Sequence, residues 1–481
     1  MVFSSLLFLF LFLPVALGVY YLTPARYRNF PALAASLLFF AWGAPRIVFV
    51  LMVTCLLDFL AGTRLQPGAV PESRRKAILA LSISINLALL LYFKYANFLV
   101  DQVNALLATG GWTGLSWTRV VLPIGISFFT FHKISYLVDV FRGTATPAAS
   151  YGRYLLYIAL YPQLIAGPII RYHDVYQQLG SRVYSPGLFL DGAWRFSIGL
   201  GKKVLIANTL ATAADAAFAA GPDSLPCGAA WLGLFAYALQ IYYDFSGYSD
   251  MAIGLGRMMG FHFLENFNFP YIAASITEFW KRWHISLTNF MREYLYFALG
   301  GNRVSRVRTY FNLWIVFLIS GFWHGAAWSF VLWGGFHGLC LSVERALKDH
   351  GVRPLPKGVA VPLTFLLACM GWVLFRAETA GQALDYFQAL ANATPAAAGL
   401  GKISAPFVDP HFITAFAIAM IGAFAPLLGL GRLLPSDGGN AKPAPSTSAL
   451  TMRFALSSAL VLASAMALAM GGFNPFIYFR F

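Results

Sequence analysis

The stretch SGFWHGAAWSFVLWGGFHG, residues 320–338, contains two histidines and no aspartate, glutamate, lysine or arginine. It lies inside a longer apolar region, 309–345, which we expect to form two membrane segments. A spanning helix needs about 20 apolar residues, and a re-entrant segment needs fewer. Polar groups in such surroundings are costly unless they have partners, so His324 and His337 both need an explanation. The stretch therefore predicts two membrane-embedded helices that carry a histidine with either a structural or a functional role.

The composition of the whole chain agrees with a membrane protein. Of its 481 residues 59% are hydrophobic and only 11% are charged, whereas soluble domains have about 45–50% apolar and about 25% charged residues. We expect one integral membrane domain over residues 1–481. The net charge of +15 fits basic cytoplasmic loops and anionic lipid headgroups. The basic residues do not form one stripe, so nucleic-acid binding is disfavoured.

Apolar segments recur along the chain and predict about a dozen membrane helices. The predicted segments are 3–22, 30–44, 46–63, 77–99, 119–141, 151–171, 187–215, 228–256, two within 309–345, 358–377, 411–433 and 450–472. The first would be a retained span with the N-terminus outward. The basic loop that follows residue 63 would be cytoplasmic. Residues 394–410 and 435–449 are predicted to be loops outside the bilayer.

Residues 257–308 form a different kind of region, because they are only partly apolar and rich in both aromatic and charged residues. On a helical wheel, Lys281, His284, Thr288 and Arg292 fall within about 80° of one another. Trp280 and Trp283 fall on the opposite side. The pattern predicts one amphipathic helix over residues 278–295 that lies at the membrane interface or lines a wet cavity.

Several familiar signatures are missing from the sequence. No complete P-loop, dinucleotide fingerprint, H-E-x-x-H or G-x-S-x-G motif occurs, which disfavours an ATP-driven pump and a hydrolase with a nucleophile elbow. The four cysteines have no C-x-x-C spacing and indicate neither a disulfide framework nor a metal site.

The histidines and acidic residues in apolar segments remain as candidates. His324 is either bonded to a carbonyl one turn away, such as that of Ser320, or functional, since a buried neutral imidazole can take a proton from a hydroxyl. His284 belongs either to an interfacial charged stripe or to a site. His337 lies 13 residues beyond His324, about 220° around a continuous helix, which favours a structural role.

Asp244 and Asp250 lie in the apolar run YYDFSGYSD, residues 242–250. Carboxylates in such a run need partners. Pairing with a lysine or arginine is favoured over catalysis for both. His132 and His173 are also predicted to be structural.

An ordered set of motifs carries a resemblance to a known family. The motifs are PIGISFFTF (123–131), QLIAGPI (163–169), DFSGYSDMAIG (244–254), NFNFPY (266–271), FWKRWHISL (279–287), SGFWHG (320–325) and NPFIYFRF (474–481). Together they resemble the membrane-bound O-acyltransferase family, in particular its bacterial branch that includes the alginate O-acetylases. The set spans most of the chain and is specific in combination, although each motif alone is weak.

The resemblance implies an all-α, polytopic fold in which about a dozen membrane helices, with re-entrant and amphipathic helices, surround a transmembrane funnel or tunnel. Residues 256–346 would form the motif-rich catalytic region. The family's catalytic histidine matches His324, the expected general base on an acceptor hydroxyl. Its second histidine matches His284, which would orient or polarise the acceptor or the thioester carbonyl.

Other residues are expected to contact the substrates. Lys281 and Arg292 would hold anionic parts of the donor, and Asp244, Trp283 and Trp323 are further candidates for substrate or donor binding. No tightly bound cofactor and no metal are expected. The donor would be acetyl-CoA or another acyl thioester.

The resemblance also implies a location and partners. The protein would lie in the lipids of the bacterial inner membrane and carry an acetyl group toward an exported polysaccharide such as alginate, with a periplasmic or membrane-anchored partner acetyltransferase. Cellulose, peptidoglycan, teichoic acid (with D-alanine as the acyl group) and a lipid remain alternative acceptors. A polytopic transporter or flippase and a scaffold for polysaccharide export are rival interpretations of another class.

Overall fold

A computed structural model describes residues 1–165, 167–221, 225–392, 406–407, 409–430 and 447–471. These residues form helices, turns and loops, and no strand occurs among them. The predicted all-α fold is confirmed. Most of the two predicted loops, and the C-terminal motif 474–481, lie outside the described residues.

The helices follow one another with short connections. They are α1 (Leu13–Leu22), α2 (Asn29–Gly43), α3 (Ile47–Leu65), α4 (Glu72–Thr109), α5 (Ile126–Arg142), α6 (Tyr151–Ala159), α7 (Tyr161–Leu164), α8 (Tyr172–Val175), α9 (Pro186–Gly201), α10 (Asn208–Ala219), α11 (Cys227–Met258), α12 (Ile276–Arg282), α13 (Ile285–Phe290), α14 (Arg306–His324), α15 (Trp328–Asp349), α16 (Lys357–Arg376), α17 (Ala380–Ala391), α18 (Pro410–Ala423) and α19 (Thr447–Ala469). Phe8–Phe12, Lys202–Ala207 and Met291–Tyr296 are π-helical.

Within the described ranges of the chain, four helices are long and apolar enough to cross a membrane, by length and composition. They are Ile47–Leu65, Glu72–Thr109, Lys357–Arg376 and Leu450–Ala469, and three shorter apolar helices span Phe8–Leu22, Asn29–Gly43 and Pro410–Ala423. The fold is therefore that of a multi-pass membrane protein, but a dozen spans is not confirmed.

Two of the predicted spans show where the sequence pattern succeeds and fails. The region 309–345 does form two helices, α14 and α15. The predicted span 151–171 is wrong as one helix, because α6 ends at Ala159 and a new helix, α7, begins at Tyr161. Pro162 explains the break: proline has no N–H to donate and is tolerated only in the first turn of a helix, where it stands here.

The chain divides into two compact units, Met1–Leu190 with Leu255–Leu264, and Asp191–Gly254 with Glu265–Phe481. The expectation of one membrane domain stays a prediction. The hydrophobic core of the second unit is unusually aromatic and includes Trp280, Trp283, Trp333 and Trp372. The candidate site lies in this core.

In the first unit, α4 has 38 residues and the chain folds back along its C-terminal turns. The Asn97 side chain accepts from the Val120 backbone N–H at 2.9 Å and donates to its carbonyl at 2.8 Å. Asn104 accepts from the Leu115 N–H at 2.6 Å. These side chains lie on one face of α4, because residues seven apart are two helical turns apart.

The interior of the first unit contains a buried ion pair. Lys133 Nζ of α5 lies 3.1 Å from Asp58 Oδ2 of α3, and Asn86 of α4 donates to Asp58 Oδ1 at 2.9 Å. Nearby, the Ile170 backbone N–H donates to His132 Nε2 at 3.3 Å. This backbone contact supports a structural role for His132.

Candidate active site

His324 is the last residue of α14, which returns through a three-residue connection into α15. Ser305 begins α14 by accepting a hydrogen bond from the Arg308 N–H at 3.3 Å, as an N-cap serine does. The backbones of the two helices are in contact at Gly321 and Gly334. A side chain at either position would separate the helices, so the two glycines determine where the end of α14 lies.

The His324 ring is buried, with 6% of the residue exposed, and aromatic rings surround it. Its centroid lies 4.9 Å from Trp323, 5.1 Å from Trp333 of α15 and 5.2 Å from Phe375 of α16. All three contacts are edge-to-face, a favourable geometry for aromatic pairs. Three helices therefore hold the imidazole in apolar surroundings.

His337 packs in the same region, contrary to the helical-wheel argument. Its ring lies 5.0 Å from Trp333, the residue that also contacts His324. The wheel assumed a continuous helix, whereas residues 325–327 between the two histidines are not helical. His337 also contacts the Trp280 ring at 5.0 Å.

Two sets of hydrogen bonds fix the start of α12. Ser275 accepts from the Glu278 N–H at 3.0 Å, and Glu278 accepts from the Ala274 N–H at 2.9 Å, an arrangement close to a capping box. Glu344 of α15 accepts from the Thr277 N–H at 3.0 Å and hydroxyl at 2.7 Å, and from the Ile276 N–H. A carboxylate is favourable at a helix N-terminus, where backbone N–H groups are unsatisfied.

The predicted continuous helix over residues 278–295 is wrong. Helix α12 ends at Arg282, and His284 adopts a left-handed conformation with φ 45° before α13 begins. The Ile285 N–H donates to the Asn266 carbonyl at 2.9 Å. A non-glycine residue in this conformation costs about 1–3 kcal/mol, which these tertiary contacts must offset.

Because the helix breaks at His284, the predicted shared face of Lys281, His284, Thr288 and Arg292 does not exist. Lys281 and Arg292 are exposed, and Arg292 pairs with its neighbour Glu293 at 3.2 Å. His284 is instead buried, with 1% of the residue exposed. The structure separates the two predicted donor-binding cations from the buried histidine.

The His284 ring is held by a few specific contacts. Its Nδ1 lies 3.1 Å from Asn266 Oδ1, and the Phe245 ring of α11 stands edge-on to it at 4.6 Å. Among the described residues, Nε2 is buried and has no hydrogen-bond partner. Burial lowers the pKa of His284 to about 3, so the imidazole is neutral at physiological pH.

A series of ring contacts joins His284 to His324. We call these rings the aromatic cluster. Starting from His284 they are Phe245, Phe267, Trp283, Trp372 and Phe375, and Phe375 contacts His324. Successive ring centroids, the two histidines included, lie 4.6–5.6 Å apart. Trp283 is a member of the cluster, and Trp323 contacts His324 directly. The two buried histidines are thus connected through one continuous set of aromatic contacts.

The two carboxylates of the 242–250 run both have basic partners, as predicted. Lys203 Nζ lies 2.6 Å from Asp244 Oδ1, and both side chains are buried. Asp250 lies 2.7 Å from Arg195 and 2.7 Å from Lys202. Asp244, a predicted substrate-binding residue, therefore forms a buried ion pair between α11 and the π-helix that follows α9.

Three residues that shape the site were missed in the sequence, namely Asn266, Glu344 and Lys203. Ser275 and Glu278 have capping-box spacing and could have placed the start of α12. No local pattern links Asn266 to His284, because the two are 18 residues apart in the chain. In the part of the chain that the structure describes, no three His, Cys, Asp or Glu side chains are arranged to bind a metal ion.

The helices are those of a multi-pass membrane protein, and two buried histidines lie in or against its aromatic core. Residues 76–354 match the sequence profile of MBOAT, the membrane-bound O-acyltransferase family. Over its full length, the chain is 40% identical to the full length of a probable alginate O-acetylase of Azotobacter vinelandii. The chain belongs to the membrane-bound O-acyltransferase family and is an O-acyltransferase.

Two further relatives bear on the reaction. A probable alginate O-acetylase of Pseudomonas aeruginosa is 47% identical over 81% of this chain and 75% of its own length. A peptidoglycan O-acetyltransferase of Helicobacter pylori is 36% identical over 81% of this chain and 80% of its own length. Both names describe transfer of an acetyl group to oxygen.

Proposed function

We propose that this protein takes an acetyl group from a cytoplasmic thioester, acetyl-CoA, and passes it across the bacterial inner membrane for O-acetylation of an exported polysaccharide such as alginate. The names of its relatives support the acetyl group and the polysaccharide. The observation that carries the proposal is the burial of His324 among aromatic rings at the end of α14. An imidazole is suited to act as general base on a hydroxyl.

In the proposed reaction His324 acts as general base. It takes the proton of an acceptor hydroxyl while the hydroxyl oxygen attacks the carbonyl carbon of the thioester. A new C–O bond forms, the C–S bond breaks, and the departing thiolate receives a proton from the imidazolium. General-base catalysis of this kind contributes about 10²–10⁴ in rate.

The aromatic surroundings have a chemical consequence for this reaction. Water is the competing acceptor for an acyl thioester, and an enclosed apolar site keeps reactive groups away from it. Trp333 and Phe375 cover the His324 ring at centroid distances of 5.1 and 5.2 Å. Phe375→Ala would remove part of this cover. We expect this substitution to increase hydrolysis of the thioester by water relative to acetyl transfer.

The alternatives to this proposal differ mainly in the molecule that finally accepts the acyl group. Peptidoglycan is supported by the name of the Helicobacter relative, while cellulose, a lipid, and teichoic acid with D-alanine as the acyl group fit the same site. A periplasmic or membrane-anchored partner acetyltransferase would complete the transfer to the polymer. The rival interpretation from a different class of function is a transporter or flippase. Such a protein would not need a general base.

Lys281 and Arg292 are proposed to hold anionic parts of the donor, an idea that now rests on charge and exposure alone. The test is the KM for acetyl-CoA of Lys281→Ala and Arg292→Ala. A rise of several-fold with kcat unchanged supports donor binding. An unchanged KM in both variants removes these residues from the donor site.

The test of the proposed function compares two buried histidines. His324→Gln should abolish transfer of labelled acetate from acetyl-CoA to acceptor and remove ester-linked acetate from exported polymer. His132→Gln is the matched control, because its amide oxygen can still accept from the Ile170 N–H. Equal membrane expression and melting temperature of both variants must be shown first. Wild-type acetylation by His324→Gln would overturn the proposal.

A further inference from the structure

The side-chain oxygen of Asn266 takes part in three hydrogen bonds. Its Oδ1 lies 3.1 Å from the Ser286 backbone N, 2.8 Å from Ser286 Oγ and 3.1 Å from His284 Nδ1. Asn266 itself has 0% exposure. One buried carbonyl oxygen therefore holds both the backbone after His284 and the imidazole ring.

The orientation of the Asn266 amide follows from the Ser286 backbone. An amide side chain can be placed in two ways, and only its hydrogen-bond partners decide between them. The Ser286 N–H can only donate, so the atom facing it must be the oxygen. If the amide were reversed, two donors would face each other at 3.1 Å.

The tautomer of His284 follows in turn. Since Oδ1 can only accept, His284 Nδ1 must carry the hydrogen of the 3.1 Å bond. In a neutral imidazole the other nitrogen, Nε2, then has a lone pair and no hydrogen. His284 can therefore accept a hydrogen bond through Nε2, but it cannot donate one to a carbonyl oxygen.

We propose that Asn266 is a positioning residue that fixes His284 as a hydrogen-bond acceptor, so that Nε2 receives an X–H group of a substrate and does not polarise the thioester carbonyl. The proposal rests on the proposed function for the identity of the substrates. The X–H group is either a second hydroxyl of the acceptor or an amide N–H of the pantetheine arm of acetyl-CoA. In both cases His324 remains the base for the reacting hydroxyl.

The position of Nε2 supports this assignment. Among the described residues it is a buried acceptor without a partner, and buried polar atoms in native proteins nearly always have one. The Phe245 ring next to it supplies no conventional donor. In the proposed arrangement a group from a substrate supplies this partner.

The first experiment determines the tautomer of His284 and does not require an activity measurement. Protein with ¹⁵N-labelled histidine is compared with the same protein carrying His284→Gln, which assigns the His284 signals. We expect Nδ1 protonated and Nε2 unprotonated at neutral pH. Asn266→Asp, which places a carboxylate beside Nδ1, should protonate both nitrogens. An Nε2–H signal in the wild-type protein would overturn the proposal.

The second experiment uses the pH dependence of kcat/KM. Asn266→Asp should lower kcat/KM at neutral pH by about tenfold or more, and the ratio to wild type should rise with pH as the imidazolium loses its proton. Ser286→Ala is the control, because it retains the backbone N–H that orients Asn266. It should keep the wild-type pH profile. A constant ratio for Asn266→Asp across pH 6–9 would contradict the proposal.

The KM values for acceptor and for acetyl-CoA distinguish the two possible sources of the X–H group. Asn266→Ala should raise the KM for the acceptor if the group is a hydroxyl, or the KM for acetyl-CoA if it is an amide N–H. A loss of melting temperature with both KM values unchanged would reduce Asn266 to a structural residue. Absence of acetyl transfer in the wild-type protein would overturn the proposed function and leave the tautomer result standing.

Discussion

Gly321 and Gly334 lie in backbone contact across the α14–α15 hairpin: a Cβ atom on Gly321 would stand 3.1 Å from both N and Cα of Gly334. Such a separation is too short for a side chain to be accommodated without movement of one helix. His324 follows Gly321 by less than one turn, and Trp333 precedes Gly334. The contact therefore sets the distance between the His324 imidazole and the Trp333 ring that covers it.

Gly321→Ala should separate α14 from α15 and displace His324. Overpacking of this kind costs about 1–3 kcal/mol, and we expect a lower melting temperature together with a loss of acetyl transfer. Gly335→Ala is the control, since its Cβ would meet its nearest neighbours only at 3.8 Å and 3.9 Å. Equal effects of the two substitutions would show that the hairpin contact does not determine the site.

The buried pair of Lys203 and Asp244 should be structural. Breaking a buried ion pair by removing one partner costs about 3–5 kcal/mol, so Asp244→Leu alone should sharply lower the melting temperature in detergent. The double variant Lys203→Met, Asp244→Leu should recover most of the stability and activity. If stability returns without activity, Asp244 contributes to substrate binding, as its motif first suggested.

Glu344 should support the site from outside it. Glu344→Ala removes the acceptor for three donors at the start of α12, and the loss of a helix cap costs about 0.5–2 kcal/mol. We expect a lower melting temperature and reduced transfer, with partial recovery in Glu344→Gln, which keeps one acceptor oxygen. The exposed Glu378 provides the control in Glu378→Ala. Wild-type behaviour of Glu344→Ala would contradict the role assigned to this carboxylate.

His173 should make stability depend on pH. Its Nδ1 lies 2.9 Å from the buried Asp139 Oδ2 and its Nε2 lies 3.4 Å from Asp174 Oδ1. The hydrogen bond to Asp139 raises the pKa of His173 above its ordinary value of 6.5. The folded state thus favours the protonated form, so this stabilisation is complete below about pH 6.5 and is lost as the pH rises through the raised pKa.

The measurement is the melting temperature of the wild-type protein minus that of His173→Gln, between pH 5.5 and 9. The difference should be largest at the acidic end and should decrease toward the alkaline end. A difference that stays constant over this range would mean that His173 is not protonated preferentially in the folded state.

Sequence patterns succeeded where a property is local and failed where it is not. Apolar runs sufficed for the all-α fold, and the need of buried carboxylates for partners predicted the pairing of Asp244. The roles of His324 and His284 in the reaction stay predictions. The break at His284 depends on hydrogen bonds to Asn266, 18 residues away in the chain. A helical wheel assumes regular φ and ψ, so it could not reveal this break or the turn between His324 and His337.

Helix α4 has a consequence for experiments on sidedness. Its 38 residues span about 57 Å, whereas the hydrocarbon core is about 30 Å thick. Even at a tilt of 40° it would cover about 44 Å along the bilayer normal. Arg74, Arg75 and Lys76 mark one end of the helix. The hydrogen-bonded polar residues Asn97, Asp101 and Asn104 mark the other end, which we expect to project into water.

The projecting end carries the loop around Gly111, which has a positive φ of 73° and open space around it. A cysteine label or protease site inserted there would be accessible from one side of the membrane only. It would report the orientation of the protein in vesicles. Donor and acceptor could then be supplied to known faces, so that the direction of acyl transfer becomes a measured quantity.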